Sequence, residues 1–242
     1  MYTGPQIITD GLILYVDAAN PKSYPGSGTT WEDLSESNND GTLVNDPTFN
    51  PTYNGNFSFD GTNDYSQFGS LGNFSSNIPS QGCTIEMYIQ TSYVDSVKQF
   101  GILNDYRTLV IINFNRNRND EHQERFTSFA LRDDSNNYQI GAMEYNIYDN
   151  KPHHVVFVKP PSSQTIQIFV DGEEKAVEYN DSLESLSNMA NLQYPFTVGG
   201  VNNRGTYRDF LECTLPLFKI YNRNLSQFEV LQNYNATKQR FK

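Results

Sequence analysis

Short runs of strand-forming residues recur along the whole chain, and their spacing constrains the fold more than any other feature. Residues 83–90 alternate apolar and polar side chains, as a half-buried strand does. Residues 153–158 and 165–170 form two more such runs, separated by a turn that contains two prolines. Helices do not alternate with these runs, so a parallel sheet of βαβ units is not expected. The pattern predicts an all-β fold, a two-sheet antiparallel jelly-roll sandwich.

The length of the chain fits one such sandwich. It has 242 residues, within the roughly 200–250 that all-β sandwiches reach as a single domain. Neither an internal repeat nor a linker-like stretch interrupts the sequence. We therefore expect residues 1–242 to form a single domain.

Turn-forming residues predict three local features. Residues 57–61 alternate and end in Asp-Gly, and residues 64–68 alternate again, which predicts a β-hairpin. Residues 115–124 are a long polar excursion, interpreted as a mobile hairpin tip, with a contact surface as the alternative. Pro216 lies inside the last predicted strand, where it indicates an edge position or a bulge.

A short helix is predicted near the C-terminus. Ser226 and Glu229 have the spacing of a capping box, in which each side chain binds the other residue's backbone N–H. Phe228, Leu231 and Tyr234 recur every three residues along this helix. That spacing places them on one helical face, which is expected to pack against the sandwich.

The chain is acidic, with a formal net charge of −11. An acidic surface repels phosphate backbones and anionic lipid headgroups. We therefore do not expect the chain to bind nucleic acids or anionic membranes. No run of about 18 apolar residues occurs, so no membrane insertion is expected. The first residues lack the basic and apolar regions of a signal peptide, which predicts synthesis in a cytoplasm without cleaved export. The basic tail, residues 237–242, is interpreted as a solvated terminus, with docking to a partner as the alternative.

Two cysteines, Cys83 and Cys213, lie far apart in the sequence and inside predicted strands. The chain has no CxxC motif and no zinc-like Cys/His spacing. Because free cysteine behaves as a small hydrophobic residue, the sequence predicts two buried free thiols. A disulfide between them stays open as the alternative, since spacing alone cannot show one.

Catalytic residue patterns are missing from the sequence. Glycoside hydrolysis needs two carboxylates that flank the scissile bond, but Glu86 stands alone on its predicted strand. No nucleophile elbow, zinc-protease motif or phosphate-binding loop occurs. His153 and His154 are adjacent in a strand, so they point to opposite faces and cannot bind one metal together. The sequence therefore predicts a protein that is not an enzyme.

One acidic loop has side chains that suit a calcium ion. Asp60 and Asp64 flank a glycine turn, and Asp17 ends an early strand that could approach them. Calcium prefers six to eight oxygen ligands, so these three carboxylates are the candidate ligands of a structural Ca²⁺. The alternative is an Asx turn, in which the carboxylates bind local backbone N–H groups.

Tyrosines on predicted loops and half-buried strands are the candidate ligand-binding residues. Sugar sites combine aromatic rings with polar groups in a groove. The alternative for each ring is core or interface packing, because a tyrosine buries a large area. The candidates are Tyr88, Tyr106, Tyr138, Tyr145 and Tyr207.

Several motifs along nearly the whole chain are shared with a known family. They comprise residues 11–25, 41–44, 57–65, 83–89, 153–156, 171–172 and 220–226, together with Glu229. On these motifs the chain resembles the laminin-G-like, concanavalin A-like jelly-roll domains. Within that family it is most similar to the stand-alone copies found in tailed phages, especially marine phages and cyanophages.

The resemblance implies two antiparallel sheets of about six or seven strands packed face to face. Domains of this family bind glycans or proteins, and many hold calcium. Phage copies are virion components, so the resemblance implies a non-enzymatic virion protein exposed on the particle, either a capsid decoration or a tail-associated module. Its partners would be other virion proteins, it would be made in the host cytoplasm, and homo-oligomerisation stays open. The alternative is a carbohydrate-binding adhesion module that contacts glycans on the host surface.

Overall fold

The structure is a computed structural model that describes residues 5–69, 71–92, 96–104, 108–116, 126–179 and 185–241. The strands, in chain order, are β1 (Leu12–Asp17), β2 (Thr30–Trp31), β3 (Gly41–Val44), β4 (Thr48–Asn50), β5 (Asn56–Asp60), β6 (Tyr65–Phe68), β7 (Cys83–Gln90), β8 (Lys98–Asn104), β9 (Thr108–Arg116), β10 (Phe126–Arg132), β11 (Tyr138–Met143), β12 (His153–Lys159), β13 (Gln167–Val170), β14 (Glu173–Lys175), β15 (Glu178–Tyr179), β16 (Phe196–Val198), β17 (Val201–Asn203), β18 (Thr206–Arg208) and β19 (Glu212–Tyr221). The helices are α1 (Phe74–Gln81) and α2 (Gln227–Thr237), with short 3₁₀ turns at Thr52–Asn54 and Lys238–Phe241.

Two large sheets form the sandwich. The eight-stranded sheet has the order β14-β13-β12-β7-β19-β5-β4, with β1 also paired to β19. The seven-stranded sheet has the order β15-β11-β10-β9-β8-β17-β18, and a small sheet has the order β16-β6-β3-β2. The described pairs are antiparallel except β8 with β17. This arrangement confirms the predicted all-β sandwich with a short C-terminal helix.

The main hydrophobic core lies between the two large sheets. Alternate residues of β7 and β12 point into it, among them Ile85, Met87 and Phe157. From the opposite sheet, Ile112 and Phe129 fill the same space. Aromatic side chains supply much of the packing volume, which explains how a chain with only 37% hydrophobic residues builds a core.

Strand β19 is central, and its proline marks a change of partner. One edge of β19 pairs with β7, while the other pairs with β5 up to Leu215 and with β1 from Leu217 onward. Pro216 lies between these two segments, where the register against β7 shifts. The carbonyl of Pro216 accepts the N–H of Ala18 at 3.0 Å. The predicted bulge is therefore confirmed, whereas an edge position is wrong.

The hairpin predicted from residues 57–68 does not form. Strand β5 pairs with β4 and β19 in the eight-stranded sheet, whereas β6 pairs with β3 and β16 in the small sheet. The sequence pattern was right about both strands but wrong about their pairing. The turn between them carries the chain from one sheet to another, and its Asx hydrogen bonds stabilise that crossing.

Helix α2 begins at the predicted capping box. The Glu229 N–H donates to Ser226 Oγ, and the Ser226 N–H donates to Glu229 Oε2 at 2.8 Å. The reciprocal bonds satisfy two backbone donors that the first turn of a helix otherwise leaves unpaired. The cap is thus confirmed by the structure.

The face of α2 that packs on the sandwich differs from the prediction. Val230 and Asn233 are its buried residues. Phe228 is 83% exposed and Leu231 is 41% exposed, so the predicted apolar face points mainly to solvent. The helix is rotated in this way because Asn233 donates a hydrogen bond to Glu86, a buried carboxylate of the sheet.

The cysteines follow the simpler of the two predictions. Cys83 and Cys213 are both free and buried. Burial raises the pKa of the Cys83 thiol to about 12, with a smaller opposing effect of Lys159. Burial also raises the pKa of the Cys213 thiol, which favours the protonated form of both thiols at neutral pH.

Helices play a minor part in this fold. The sequence pattern does not predict helix α1, which contains Pro79 in its interior. In the described part of the chain, no helix is long and apolar enough to cross a membrane. Most of the polar excursion at residues 115–124 lies outside the described residues.

Candidate functional site

Helix α2 covers the outer face of the eight-stranded sheet. Val156 and Tyr221, from two strands of that sheet, pack with Leu225 and Val230 in one buried cluster. This cluster lies on the side of the sheet opposite the main core, because the residues that alternate with it face that core. The part of the sheet face formed by β12 and β19 is thus covered by the chain itself.

Under α2, Glu86 is the centre of a buried polar network. Its Oε1 accepts hydrogen bonds from Lys219 Nζ at 2.7 Å and from His154 Nε2 at 3.0 Å. Its Oε2 accepts one from Asn233 Nδ2 at 2.6 Å. Burial alone would raise the pKa of Glu86, but Lys219 and His154 outweigh it and lower the pKa to about 2. Glu86 is therefore a fixed anion that binds α2 to the sheet and not a proton donor.

Tyr88, a predicted ligand-binding residue, belongs to the same closed face. Its ring stacks on Phe241 with centroids 3.9 Å apart and lies 4.9 Å from the ring of His154. Its hydroxyl accepts a hydrogen bond from the Thr237 hydroxyl at 3.3 Å. The structure therefore places Tyr88 beneath the C-terminal turn and not in a groove.

Two of the other candidate tyrosines lie far apart on the surface. Tyr207 stacks on Tyr65 with centroids 4.2 Å apart and donates a hydrogen bond to Gln67 Oε1 at 2.9 Å. Tyr145 is 38% exposed, and the ammonium group of Lys175 lies 4.4 Å from its ring centroid. Each ring thus has its own local partners.

Of the remaining two candidates, only Tyr138 belongs to the part of the chain that the structure describes. Tyr138 packs beside Ile111 and Ile140, on the outer face of the seven-stranded sheet. Tyr106 lies outside the described residues. The structure has one cleft at the C-terminal turn and one groove between β5 and β19, and none of the four tyrosines within the described ranges lines either of them.

An acidic groove of about 230 Å³ lies where β5 meets β19. It contains three carboxylates and three hydroxyl groups. Its lining residues are Thr48, Ser58, Phe59, Asp60, Asp64, Glu212, Cys213 and Thr214.

Two carboxylates of the acidic groove are engaged in the turn itself. Asp60 Oδ1 accepts the backbone N–H groups of Thr62 at 2.8 Å and Asn63 at 3.2 Å. Asp64 Oδ2 accepts the N–H of Asp60 at 3.2 Å. The hydrogen bond from Thr62 lowers the pKa of Asp60, whereas burial raises that of Asp64. This geometry is that of the Asx turn that the sequence left open as the alternative.

A second cleft, of about 540 Å³, lies where the N-terminal segment meets the C-terminal turn. We name it the C-terminal cleft. Residues from β1, the first 3₁₀ turn and the end of α2 contribute to its walls. Its lining residues are Pro5, Gln6, Ile7, Tyr15, Asp17, Asn54, Ala236, Thr237, Gln239 and Arg240.

An ion pair at the C-terminal cleft holds the end of the chain in place. Arg240 Nη1 donates to Asp17 Oδ1 at 2.6 Å, and its Nη2 donates to the Gly55 carbonyl at 2.5 Å. Asp17 also accepts the Ala19 N–H at 2.9 Å and the Tyr15 hydroxyl at 3.2 Å. Burial, and then the charge of Asp17, raise the pKa of Tyr15 far above its usual range, so the phenol is neutral. The two charges of the cleft are thus balanced internally.

The calcium site predicted from three carboxylates is not assembled. Asp17 lies at the C-terminal cleft, paired with Arg240, whereas Asp60 and Asp64 lie at the acidic groove. Among the described residues, no group of three or more acidic, histidine or cysteine side chains is arranged to hold a metal ion. Strands β1 and β5 present their carboxylates to different openings, and calcium binding by any of the three stays a prediction.

The sequence matches one protein-family model. The model describes the concanavalin A-like lectin/glucanases superfamily, and it matches residues 60–231, well over half of the 242-residue chain. The chain belongs to this superfamily.

Solved structures of the same fold include bacterial toxin binding domains. The receptor binding domain of botulinum neurotoxin C/D mosaic serotype is 16% identical, with a TM-score of 0.69 over 95% of this chain and 52% of that one. The binding domain of Paraclostridial Mosquitocidal Protein 1 is 15% identical, with a TM-score of 0.68 over 93% and 52%. The ligand binding domain of botulinum neurotoxin serotype D, in complex with N-acetylneuraminic acid, is 16% identical, with a TM-score of 0.68 over 95% and 52%.

These structures share the fold of this superfamily member, which spans about half of their length. No curated protein has a sequence that matches the chain.

For this lectin-like domain, the sequence missed the residues that organise the two ends of the chain. Arg240 belongs to the basic tail for which the sequence predicts a solvated terminus, yet it binds Asp17 beside β1. Phe241, also in this tail, stacks on the ring of Tyr88. An acidic side chain at the end of a buried strand needs a cation or a donor, and that need was the available signal. Its partner, 223 residues away in sequence, could not be identified from one chain.

Proposed function

We propose that the chain is a non-catalytic carbohydrate-binding module that recognises a receptor or a host surface. The observation that carries the non-catalytic part is the environment of Glu86. It lies under α2, neutralised by Lys219, where no substrate reaches it. Glycoside hydrolysis requires an acid with a raised pKa near a second carboxylate, and Glu86 has the opposite electrostatics. In the acidic groove burial raises the pKa of Asp64, but Asp64 and Asp60 each accept backbone N–H groups of one turn, which is a structural role.

The binding part of the proposal is supported by the superfamily and its structural neighbours. One neighbour is described as a receptor binding domain and another as a ligand binding domain in complex with N-acetylneuraminic acid. The acidic groove and the C-terminal cleft of this chain present hydroxyl, amide and carboxylate groups to solvent. Such groups are the usual hydrogen-bond partners of sugar hydroxyls.

A glycan array followed by product analysis tests this proposal. Fluorescently labelled chain is applied to printed neutral and sialylated oligosaccharides, and bound glycans are then assayed for newly formed reducing ends. We expect binding without cleavage. Cleavage of a bound glycan would show an enzyme, and the absence of any binding would refute the carbohydrate-binding function.

A second function is favoured by a different observation, the exposed apolar side chains of α2. Phe228 is 83% exposed and Leu231 is 41% exposed. Large apolar side chains exposed side by side are typical of contact surfaces between proteins. The resemblance to the stand-alone copies of tailed phages suggests the partner, so the second function that we propose is a structural component of a phage particle, bound to other virion proteins through α2.

Quantitative mass spectrometry of purified particles separates the two functions. A capsid decoration would be present in many copies, and a Phe228→Ser, Leu231→Ser variant would be lost from the particle while still binding any glycan. An adhesion module would be present in few copies. Absence of the chain from the particles would contradict the structural role.

A further inference from the structure

The charges of the C-terminal cleft select against a charged ligand. Of its ten lining residues within the described ranges, Asp17 and Arg240 are the ion pair, with 2.6 Å between Arg240 Nη1 and Asp17 Oδ1. Both side chains are largely buried, so neither offers an unpaired charge to solvent. A charged ligand would lose its hydration here without gaining a free counter-charge. A neutral ligand does not lose the hydration of a charge when it enters the cleft.

Three carboxamides at the rim give the cleft its hydrogen-bonding capacity. Gln6, Asn54 and Gln239 are exposed and line the opening from three separate segments. Within the described ranges, their side-chain amides are not engaged by other residues of the chain. Each carboxamide offers two donors and one acceptor oxygen, a pattern that matches hydroxyl groups, which both donate and accept.

Apolar and aromatic surfaces complete the walls of the cleft. Pro5, Ile7 and Ala236 provide aliphatic surface, and Tyr15 provides part of a ring. Sugar rings have the corresponding two-sided character, with C–H groups on their faces and hydroxyls at their edges. The volume of about 540 Å³ is within the roughly 300–1,000 Å³ of small-molecule sites.

Contacts within the chain hold one wall of the cleft in place. Arg240 joins the C-terminal turn to Asp17 and to the Gly55 carbonyl, and Phe241 stacks on Tyr88. These contacts fix the wall that carries Gln239. A preformed wall lowers the entropy lost on binding, which matters for ligands as weakly held as sugars.

We propose that the C-terminal cleft binds a neutral, hydroxyl-rich ligand, a saccharide, through the carboxamides of Gln6, Asn54 and Gln239. This inference rests on the proposed carbohydrate-binding function and assigns that function a site and a ligand class.

Variants of the rim and the wall test the assignment on the array of neutral and sialylated oligosaccharides. Gln6→Ala and Gln239→Ala each remove one carboxamide, and Ala236→Trp fills the cleft from the helix side. The matched control is Gln227→Ala, which removes an exposed carboxamide at the other end of α2. Circular dichroism and thermal melting establish that each variant is folded.

We expect wild type to bind neutral glycans, with each rim variant weakening binding about 2- to 10-fold, as expected for the loss of one hydrogen bond. Ala236→Trp should abolish binding, and Gln227→Ala should have no effect. If glycans bind equally well to the rim and wall variants, the site is wrong although the carbohydrate-binding function stands. If sialylated glycans alone bind, the neutral ligand class is wrong. If nothing on the array binds, both the function and the site are refuted.

Discussion

Replacement of Glu86 by leucine tests the account of the closed sheet face. Glu86 and Lys219 are fully buried and 2.7 Å apart, with His154 and Asn233 as further partners of the carboxylate. The variant leaves the ammonium of Lys219 buried without its counter-ion. Removing one partner of a buried ion pair costs about 3–5 kcal/mol. For a chain of this size, that loss lowers the melting temperature by roughly 6–20 °C.

A double-mutant cycle measures the interaction in isolation. Urea unfolding is followed for Glu86→Leu, for Lys219→Met and for the double variant. We expect the double variant to be more stable than Glu86→Leu, because two apolar side chains replace a buried charge pair at little net cost. Lys151→Met is the matched surface control, since Lys151 pairs with Asp149 while 75% of its side chain is exposed. It should change the free energy of unfolding by less than about 1 kcal/mol.

A small effect of Glu86→Leu would refute the reasoning. If the free energy of unfolding falls by less than about 1 kcal/mol, as for an exposed pair, water reaches Glu86 and α2 does not close the sheet. Glu86 would then be accessible to a substrate.

Three further predictions concern the turn, a histidine and the exposed helix face. Asp60→Ala should lower the melting temperature equally with and without excess chelator, because Asp60 caps backbone N–H groups; a chelator effect in wild type would indicate bound calcium. The hydrogen bond to Asp171 raises the pKa of His153, against a smaller opposing effect of burial. The stability that protonated His153 contributes should therefore be fully present below the ordinary histidine pKa of about 6.5. It should be lost as the pH rises through the raised pKa of His153 in the folded chain. Melting of His153→Gln against pH checks this, and a constant difference from wild type would contradict it. Phe228→Ser should change the free energy of unfolding by no more than about 0.5 kcal/mol, because Phe228 is 83% exposed; a loss above about 2 kcal/mol would show that it is buried.

The strands and the helix cap were predictable because they depend on neighbouring residues. Alternation along residues 83–90 placed β7, and the Ser226–Glu229 spacing placed the start of α2. The partners of β5 and β6 were not predictable in this way. Alternation is a property of one strand, and which strand it pairs with depends on the whole core.

The rotation of α2 shows how a buried polar group can override an apolar pattern. The spacing of Phe228 and Leu231 predicted the packed face, but Asn233 faces the sheet because Glu86 needs a donor there. A buried carboxylate without partners is far more costly than an exposed phenylalanine. From sequence alone, the burial of Glu86 could not be known.

The position of a bound saccharide tests the account most directly. A crystal structure of the chain soaked with the neutral oligosaccharide that binds best on the array would show it. We expect intact sugar in the C-terminal cleft, within hydrogen-bond distance of Gln239 and Asn54 and with the Asp17–Arg240 pair unbroken. A sugar bound instead at the acidic groove or on the outer face of the seven-stranded sheet, or a cleaved product in either place, would contradict it.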